Sequence, residues 1–175
     1  MSLIMTRPEK GEYAEYYDRY ISLVEEPDIV AVLENQHSEL LDFFQKISEE
    51  KSHYAYGADK WTIKEVIGHL TDGERIFAYR ALRISRADQT PIEGFEQDGY
   101  IENSNFNNTP LSELTAELLY VRKANLIFFK NLSGESWQRT GTASENTVSV
   151  RALAYIMAGH IRHHLKILNE RYLAQ

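Results

Sequence analysis

The fold is decided by the C-terminal stretch VSVRALAYIMAGHIRHHLKILNERYL, which covers residues 148–173. Apolar residues recur in it at a spacing of three and four, the period of one buried helix face. These residues are Val150, Leu153, Met157, Ile161, Leu165 and Leu168. His160 and His164 fall on the same face. The stretch therefore predicts a long helix, Val148–Leu173, that turns two histidines toward the core.

His160 and His164 are four residues apart, so their rings lie one helical turn apart and can converge on one ion. Alternatively, each ring is neutral and hydrogen-bonded to a neighbour, the usual state of a single core histidine. Two facing imidazoles raise the cost of desolvation unless something bridges them. The pair alone leaves both interpretations open, and a third ligand elsewhere would favour the metal.

Composition and charge bound the classes of function. The chain has 175 residues, of which 43% are hydrophobic and 26% charged, which fits one domain with a sizeable core. A net charge of −7 without a basic run disfavours binding to nucleic acid or to an anionic membrane surface. There is no cysteine, so histidine, aspartate and glutamate are the only strong metal ligands. No signal peptide and no apolar run of about 18 residues is seen, which predicts a cytoplasmic protein.

Two more helices are predicted ahead of the long crossover. The first covers Asp28–Ile47 and places His37 roughly on its inward face. The second covers 62–85, and its start is marked by Thr62 with Glu65 three residues later, the pattern of a capping box. Both helices carry an apolar stripe that would face a common core.

The remaining segments complete an all-α architecture. Ala87–Thr109 is too long for a simple connection between bundle helices, so it predicts a crossover that lets helices two and three run parallel. The third helix is predicted over Pro110–Leu132, with Asn125 as the one polar residue in its stripe. Ser133–Thr147 is a second predicted loop. The sequence therefore predicts a four-helix bundle in one domain, 1–175.

A third histidine comes from the second helix. His69 lies at the edge of that helix's apolar stripe and borders the core. If helices two and four pack side by side, His69 joins His160 and His164 to give three nitrogen ligands. Three protein ligands leave coordination positions open, as in catalytic rather than structural zinc sites.

Two neighbours of these histidines have more than one interpretation. Asp72 lies about one turn from His69 and could orient its ring by accepting a proton, or pair with Arg75 or Arg80 in solvent. His163 lies about 100° round the helix from its neighbour, so we place it behind the ligands or at the surface.

Several short motifs resemble those of the DinB-like superfamily, and within it the YfiT-type metal-dependent hydrolases. They are Lys60-Trp61-Thr62, the run Glu65–Arg75, Trp137-x-Arg139 and Gly159-His160-x-x-His163-His164. The resemblance extends from about Pro27 to the C-terminus. It implies a four-helix bundle, often dimeric, in which one divalent ion is bound by His69, His160 and His164.

The resemblance also implies an activity. Similar proteins include transferases of low-molecular-weight thiols, so the expected function is activation of a small thiol, or of water in a hydrolase, for attack on a small-molecule substrate. Zinc and nickel are the first candidates for the ion, followed by iron. The alternative is a non-catalytic metal-binding bundle that serves as a binding or stress-related interaction module. A group lining the open coordination side would discriminate, and His37 and Asn125 are the inward polar candidates.

The N-terminal arm, residues 1–26, is rich in tyrosine. Its tyrosines include Tyr13, Tyr16, Tyr17 and Tyr20. Aromatic surface of this kind is enriched at protein interfaces, which together with the family resemblance predicts a homodimer. The alternative is that these rings cover the open end of the protein's own bundle.

Overall fold

The structure, a computed structural model, describes residues 6–174. Its helices are α1 (Asp18–Ile21), α2 (Ile29–Phe44), α3 (Glu49–Ser52), α4 (Ile63–Ser85), α5 (Gln97–Glu102), α6 (Leu111–Lys130), α7 (Gly134–Gln138) and α8 (Val150–Ile167). Its strands are β1 (Thr140–Ala143) and β2 (Asn146–Ser149). The predicted single domain and its arm also include residues 1–5 and 175, which lie outside the described residues.

The long helices α2, α4, α6 and α8 form the predicted four-helix bundle. Helix α4 packs against both α6 and α8, and α2 packs against α6. Near the start of α4, Lys64 donates to the carbonyl of Thr109, just ahead of α6, at 2.8 Å. Further along both helices, Asn125 donates to the carboxylate of Glu74 at 3.0 Å. The first contact joins the starts of the two helices, and the second joins residues further along each of them. Helices α4 and α6 therefore run parallel, as the length of the crossover predicts.

Helix starts follow the capping signals in the sequence. At α4, the Thr62 hydroxyl accepts from the amide of Glu65 at 3.1 Å, and the Glu65 carboxylate accepts from the amide of Thr62 at 2.7 Å. The predicted capping box is therefore confirmed. At α2, Asp28 is the N-cap, accepting from the amide of Ala31 at 3.0 Å, so the helix itself begins one residue later.

The last helix begins later than predicted. Val148 pairs with Gly141 in the antiparallel hairpin of β1 and β2. The hydroxyl of Ser149 then accepts from the amide of Ala152 at 3.0 Å and caps α8. Helix α8 therefore starts at Val150, and the prediction of helix at residues 148–149 is wrong because both residues belong to β2.

The predicted second loop, residues 133–147, contains α7 and most of this hairpin. Ser144 and Glu145 have φ values of 49° and 64°, the left-handed conformation that a tight two-residue hairpin turn requires. The backbone of Ile92 in the crossover pairs beside Ala143, so the crossover is tied to the hairpin. The crossover itself contains α5 and a 3-10 turn, and beyond α8 the chain continues as a π-helix to residue 173.

The buried face of α2 differs from the predicted one. The sequence placed His37 inward, but His37 is half-buried and Leu41 is exposed. Gln36 is fully buried instead, and its amide donates to the carbonyl of Ala158 in α8 at 2.8 Å. The apolar residues of α2 would allow either of two adjacent helix faces to be buried. The face that carries Gln36 is the buried one, and its hydrogen bond satisfies the buried amide.

The N-terminal arm packs against α8 where that helix has a glycine. A Cβ at Gly159 would lie 2.0 Å from the carbonyl oxygen of Tyr20, so only glycine permits this approach of the two backbones. Glu12 and Arg151 form an ion pair that also holds the arm. Tyr20 is buried against the bundle, which supports the covering role, while Tyr16 remains 52% exposed. The homodimer stays a prediction.

The structure also bears on the membrane. Within residues 6–174, no helix has the combination of length and apolar character that crossing a bilayer requires.

Candidate metal centre

Three histidine rings converge between α4 and α8. The Nε2 atoms of His69 and His160 are 2.9 Å apart. One ligand atom from each of His69, His160 and His164 can be chosen so that all three lie within 4.8 Å of one another. Among residues 6–174 this is the group with metal-binding geometry, and it unites the three ligands that the sequence predicted.

Small and aromatic residues make room for these rings and fix their orientation. A Cβ at Gly73 would lie 3.0 Å from the Cε1 atom of His160, so the glycine lets that ring lie flat against α4. The indole of Trp61 packs 4.9 Å from the ring of His69, centroid to centroid. The ring of Tyr20, from the arm, meets His160 edge-on at 5.2 Å. The arm thus forms one wall of the site.

Burial keeps the three rings neutral. It lowers the pKa of His69 to about 4, and the nearby His163 acts in the same direction. Burial also lowers the pKa of His160 and His164 well below the usual value, reinforced by the other histidines of the cluster. Neutral imidazole is the form that binds a metal ion.

The geometry fits a divalent ion. Nitrogen ligands of one tetrahedral ion are about 3.3 Å apart, given metal–nitrogen bonds of about 2.0–2.1 Å. The 2.9 Å separation of two Nε2 atoms and the 4.8 Å limit for all three bracket this spacing. Small rotations of the rings would therefore bring three lone pairs onto one ion.

Two cavities reach the histidine cluster. The first, of about 330 Å³, is bordered by His69 and His160, a size typical of small-molecule sites. Its other walls include Tyr16, Tyr17 and Tyr20 of the arm, Phe77 and Arg80 of α4, and Ser144 of the hairpin turn. The second cavity, of about 310 Å³, is bordered by His164, Trp61 and Tyr172 and shares no lining residue with the first.

The other polar residues singled out in the sequence lie outside these cavities. Asp72 is half-buried, which raises its pKa, and within the described part of the chain it forms no hydrogen bond with the three rings. His163 packs edge-on against Tyr20 at 5.3 Å, behind the ligands. Asn125 donates to Glu74, and His37 lies on α2. Neither candidate for a group on the open side therefore lines the site.

Arg80 is a charged residue of α4 that does line the first cavity, and the sequence offered it only as a partner for Asp72. His69, Gly73, Phe77 and Arg80 are separated by four, four and three residues, and eleven residues make three helical turns to within about 20°. All four therefore lie on one face of α4. This spacing was the available signal, and it was missed because the charged side chain did not fit an apolar stripe.

Comparison with known proteins agrees with this architecture. The sequence pattern of the DinB superfamily matches residues 33–168. YfiT from Bacillus subtilis, described as a probable metal-dependent hydrolase with an unusual four-helix bundle topology, superposes with a TM-score of 0.74. It is 16% identical, and the match covers 97% of this chain and 93% of that chain. No curated protein matches the sequence at a significant level.

Proposed function

Because the chain belongs to the DinB superfamily, we propose that it is a metal-dependent enzyme that acts on a small molecule bound beside His69 and His160. The observation that carries the proposal is the convergence of three neutral imidazoles, two of which, His69 and His160, border a cavity of about 330 Å³. The ligands proposed for one divalent ion are His69, His160 and His164, with zinc or nickel ahead of iron. The description of YfiT as a metal-dependent hydrolase supports the same general class.

The donor set determines what these residues can do. Three neutral imidazoles do not offset the charge of a divalent ion, so the site favours an anionic fourth ligand. An ion held in this way lowers the pKa of a small thiol or of water and so supplies a nucleophile near neutral pH. The protein's own part is to hold three neutral rings in register, which burial and the packing of Trp61 and Tyr20 achieve.

Transfer of a small thiol is the finer proposal. The cluster is reached by two separate cavities, and two bound substrates need two sites, whereas water needs none. The chain has no cysteine, so the sulfur must come from a cosubstrate. In the reaction, the thiol sulfur would form a bond to an electrophilic carbon, the leaving group would depart with its electron pair, and the thiol proton would pass to solvent.

Cobalt substitution tests this proposal. Addition of small thiols to the cobalt-loaded protein is expected to produce a sulfur-to-metal charge-transfer band, and chlorodinitrobenzene is expected to be conjugated with release of chloride. Chelation should abolish both. The His163→Ala variant is the matched control, because it removes a neighbouring histidine while leaving the three ligands in place.

Other outcomes assign other functions. Turnover of esters without a thiol-dependent band would replace transfer by hydrolysis with water as the nucleophile. A metal-loaded protein that turned over neither thiols nor esters would favour the non-catalytic metal-binding module.

A further inference from the structure

Three cationic side chains of the described residues are almost completely buried, and one of them differs from the other two. Lys64 and Arg80 are each 2% exposed, and Arg122 is 0% exposed. Lys64 forms an ion pair with Glu49, and Arg122 pairs with Glu74 at 2.5 Å. Within residues 6–174, Arg80 has no carboxylate within ion-pair distance. Its charge is therefore buried without a counterion.

The hydrogen bonds of Arg80 go to neutral groups and leave capacity over. One terminal nitrogen donates to the carbonyl of Glu93 at 3.2 Å and to the hydroxyl of Ser144 at 2.9 Å. The other reaches the hydroxyl of Tyr17 only at 3.5 Å. The Nε atom is buried and has no partner in the described structure, which is also true of Nε of Arg122, so the missing carboxylate is what sets Arg80 apart. A buried guanidinium with no carboxylate partner and unused donors favours binding of an anion.

Arg80 shares a cavity and a helix face with the histidine cluster. Gly73 touches the ring of His160, and Arg80 lies seven residues later on the same face, about 10 Å along the helix axis. Helical side chains generally lean toward the N-terminus, which for Arg80 is the end of α4 where Gly73 and His69 lie. Phe77 lies between them along the wall of the cavity.

Glu96 is an acidic residue beside the same cavity, but its carboxylate has hydrogen-bond partners other than Arg80. The carboxylate accepts from the amides of Asp98 and Gly99 at 3.0 and 2.6 Å. Glu96 is exposed and caps α5. It therefore belongs to the rim and does not neutralise Arg80.

We propose that Arg80 binds an oxyanion of the substrate, a carboxylate or a phosphate, and so sets its orientation in the cavity. The inference rests on the proposed function and names its substrate class. The substrate is an anionic small molecule whose charged group lies at Arg80, whose apolar body lies along Phe77, and whose reacting atom lies beside His69 and His160. The distance from the anion to that atom is on the order of 10 Å or less.

Calorimetric titration with three probes of one shape tests the proposal. Phenylpropanoate carries a carboxylate, phenylethyl phosphate carries a phosphate, and phenylpropanamide is the neutral counterpart. They are titrated into the full-length metal-loaded protein and its Arg80→Gln and Arg80→Lys variants. Arg75→Gln is the matched control, since it removes one positive charge from the exposed side of α4.

The anionic probes are expected to bind roughly tenfold to a hundredfold more tightly than the amide, and Arg80→Gln should remove this difference. Arg80→Lys should retain part of it, because lysine keeps the charge but loses the planar fork. Arg75→Gln should bind like the parent. The tighter of the two anionic probes assigns the group as carboxylate or phosphate.

Three results would overturn the proposal: equal binding of the amide and both anions, parental affinity in Arg80→Gln, or no binding of any probe. Circular dichroism checks the fold, and if Arg80→Gln is unfolded, the Arg80→Lys variant and the anion-to-amide ratio of the parent decide. Metal content is measured on every sample. Selective anion binding by a chain that holds no metal would support the Arg80 site while refuting the proposed metal enzyme.

Discussion

Helix α4 has two buried faces that carry charge, and they are built in different ways. On the face toward α6, Glu74 accepts from Arg122 at 2.5 Å and from Asn125 at 3.0 Å. Arg122 also donates to the buried Gln36 at 3.1 Å. On the face toward the arm and α8, Arg80 borders a cavity together with His69 and His160, and none of the three has an acidic partner in the described structure.

The two faces of α4 illustrate how structural polar groups in a core can be distinguished from functional ones. Burial alone does not distinguish them, because Glu74, Arg122, His69 and Arg80 are all nearly inaccessible. What distinguishes them is whether the protein itself supplies the partners. On the Glu74 face the buried cation has its counterion within the protein, although Nε of Arg122 has no partner, whereas on the other face Arg80 has no carboxylate partner in the described structure and borders a cavity.

The largest expected effect on stability comes from breaking the ion pair between Glu74 and Arg122. Glu74→Ala would leave Arg122 charged, buried and unpaired, which should lower the free energy of unfolding by about 3–5 kcal/mol in urea titrations. The double variant Glu74→Leu/Arg122→Met is the control and should recover most of the loss, because it removes both charges. A loss well under 1 kcal/mol for Glu74→Ala alone would show that the two faces are not different in kind.

The face of α4 that carries His69 and Arg80 should make stability depend on pH. In the metal-free protein the folded state keeps His69 neutral down to its pKa of about 4, whereas the unfolded chain binds a proton below about 6.5. Between these two pH values the unfolded state binds more protons than the folded state. As the pH is lowered from about 6.5 to about 4, the free energy of unfolding should therefore fall by roughly 3 kcal/mol through His69 alone. Urea titrations across this range measure it. An equally steep slope in His69→Asn would contradict the assignment.

A smaller change on the same face of α4 should weaken metal binding more than it lowers stability. In Gly73→Ala the added methyl would lie 3.0 Å from the His160 ring and displace it. Loss of ligand orientation typically weakens metal binding by about 10–100-fold. Competition with a coloured chelator measures the affinity, and Gly57→Ala, at an exposed glycine, is the control. Unchanged affinity in Gly73→Ala would mean that the ring position is not set by this contact.

The sequence predicted those features that depend on local spacing. The capping box at Thr62 and the shared helix face of His160 and His164 follow from spacings of three and four residues, whereas His69 was added through the expected packing of helices two and four. The parallel course of α4 and α6 followed from the length of their connection. The match to the DinB superfamily confirms the resemblance that the motifs indicated.

The sequence failed where distant partners decide the outcome. Gln36 rather than His37 is buried in the core, where the carbonyl of Ala158 accepts a hydrogen bond from its side-chain amide. The hairpin turn at Ser144 and Glu145 lacks the glycine or asparagine that marks such turns, and pairing of the crossover beside β1 accompanies it. Arg80 became visible as a site residue only when the cavity and the absence of a neighbouring acid were known.

Metal stoichiometry is the decisive measurement of whether His69, His160 and His164 bind one divalent ion. Elemental analysis after equilibration with zinc or nickel should find one ion per chain in the parent and in His163→Ala. His69→Ala, His160→Ala and His164→Ala should each lose it while circular dichroism shows a folded bundle. A folded His160→Ala protein that bound a full equivalent of metal with parental affinity would contradict the claim.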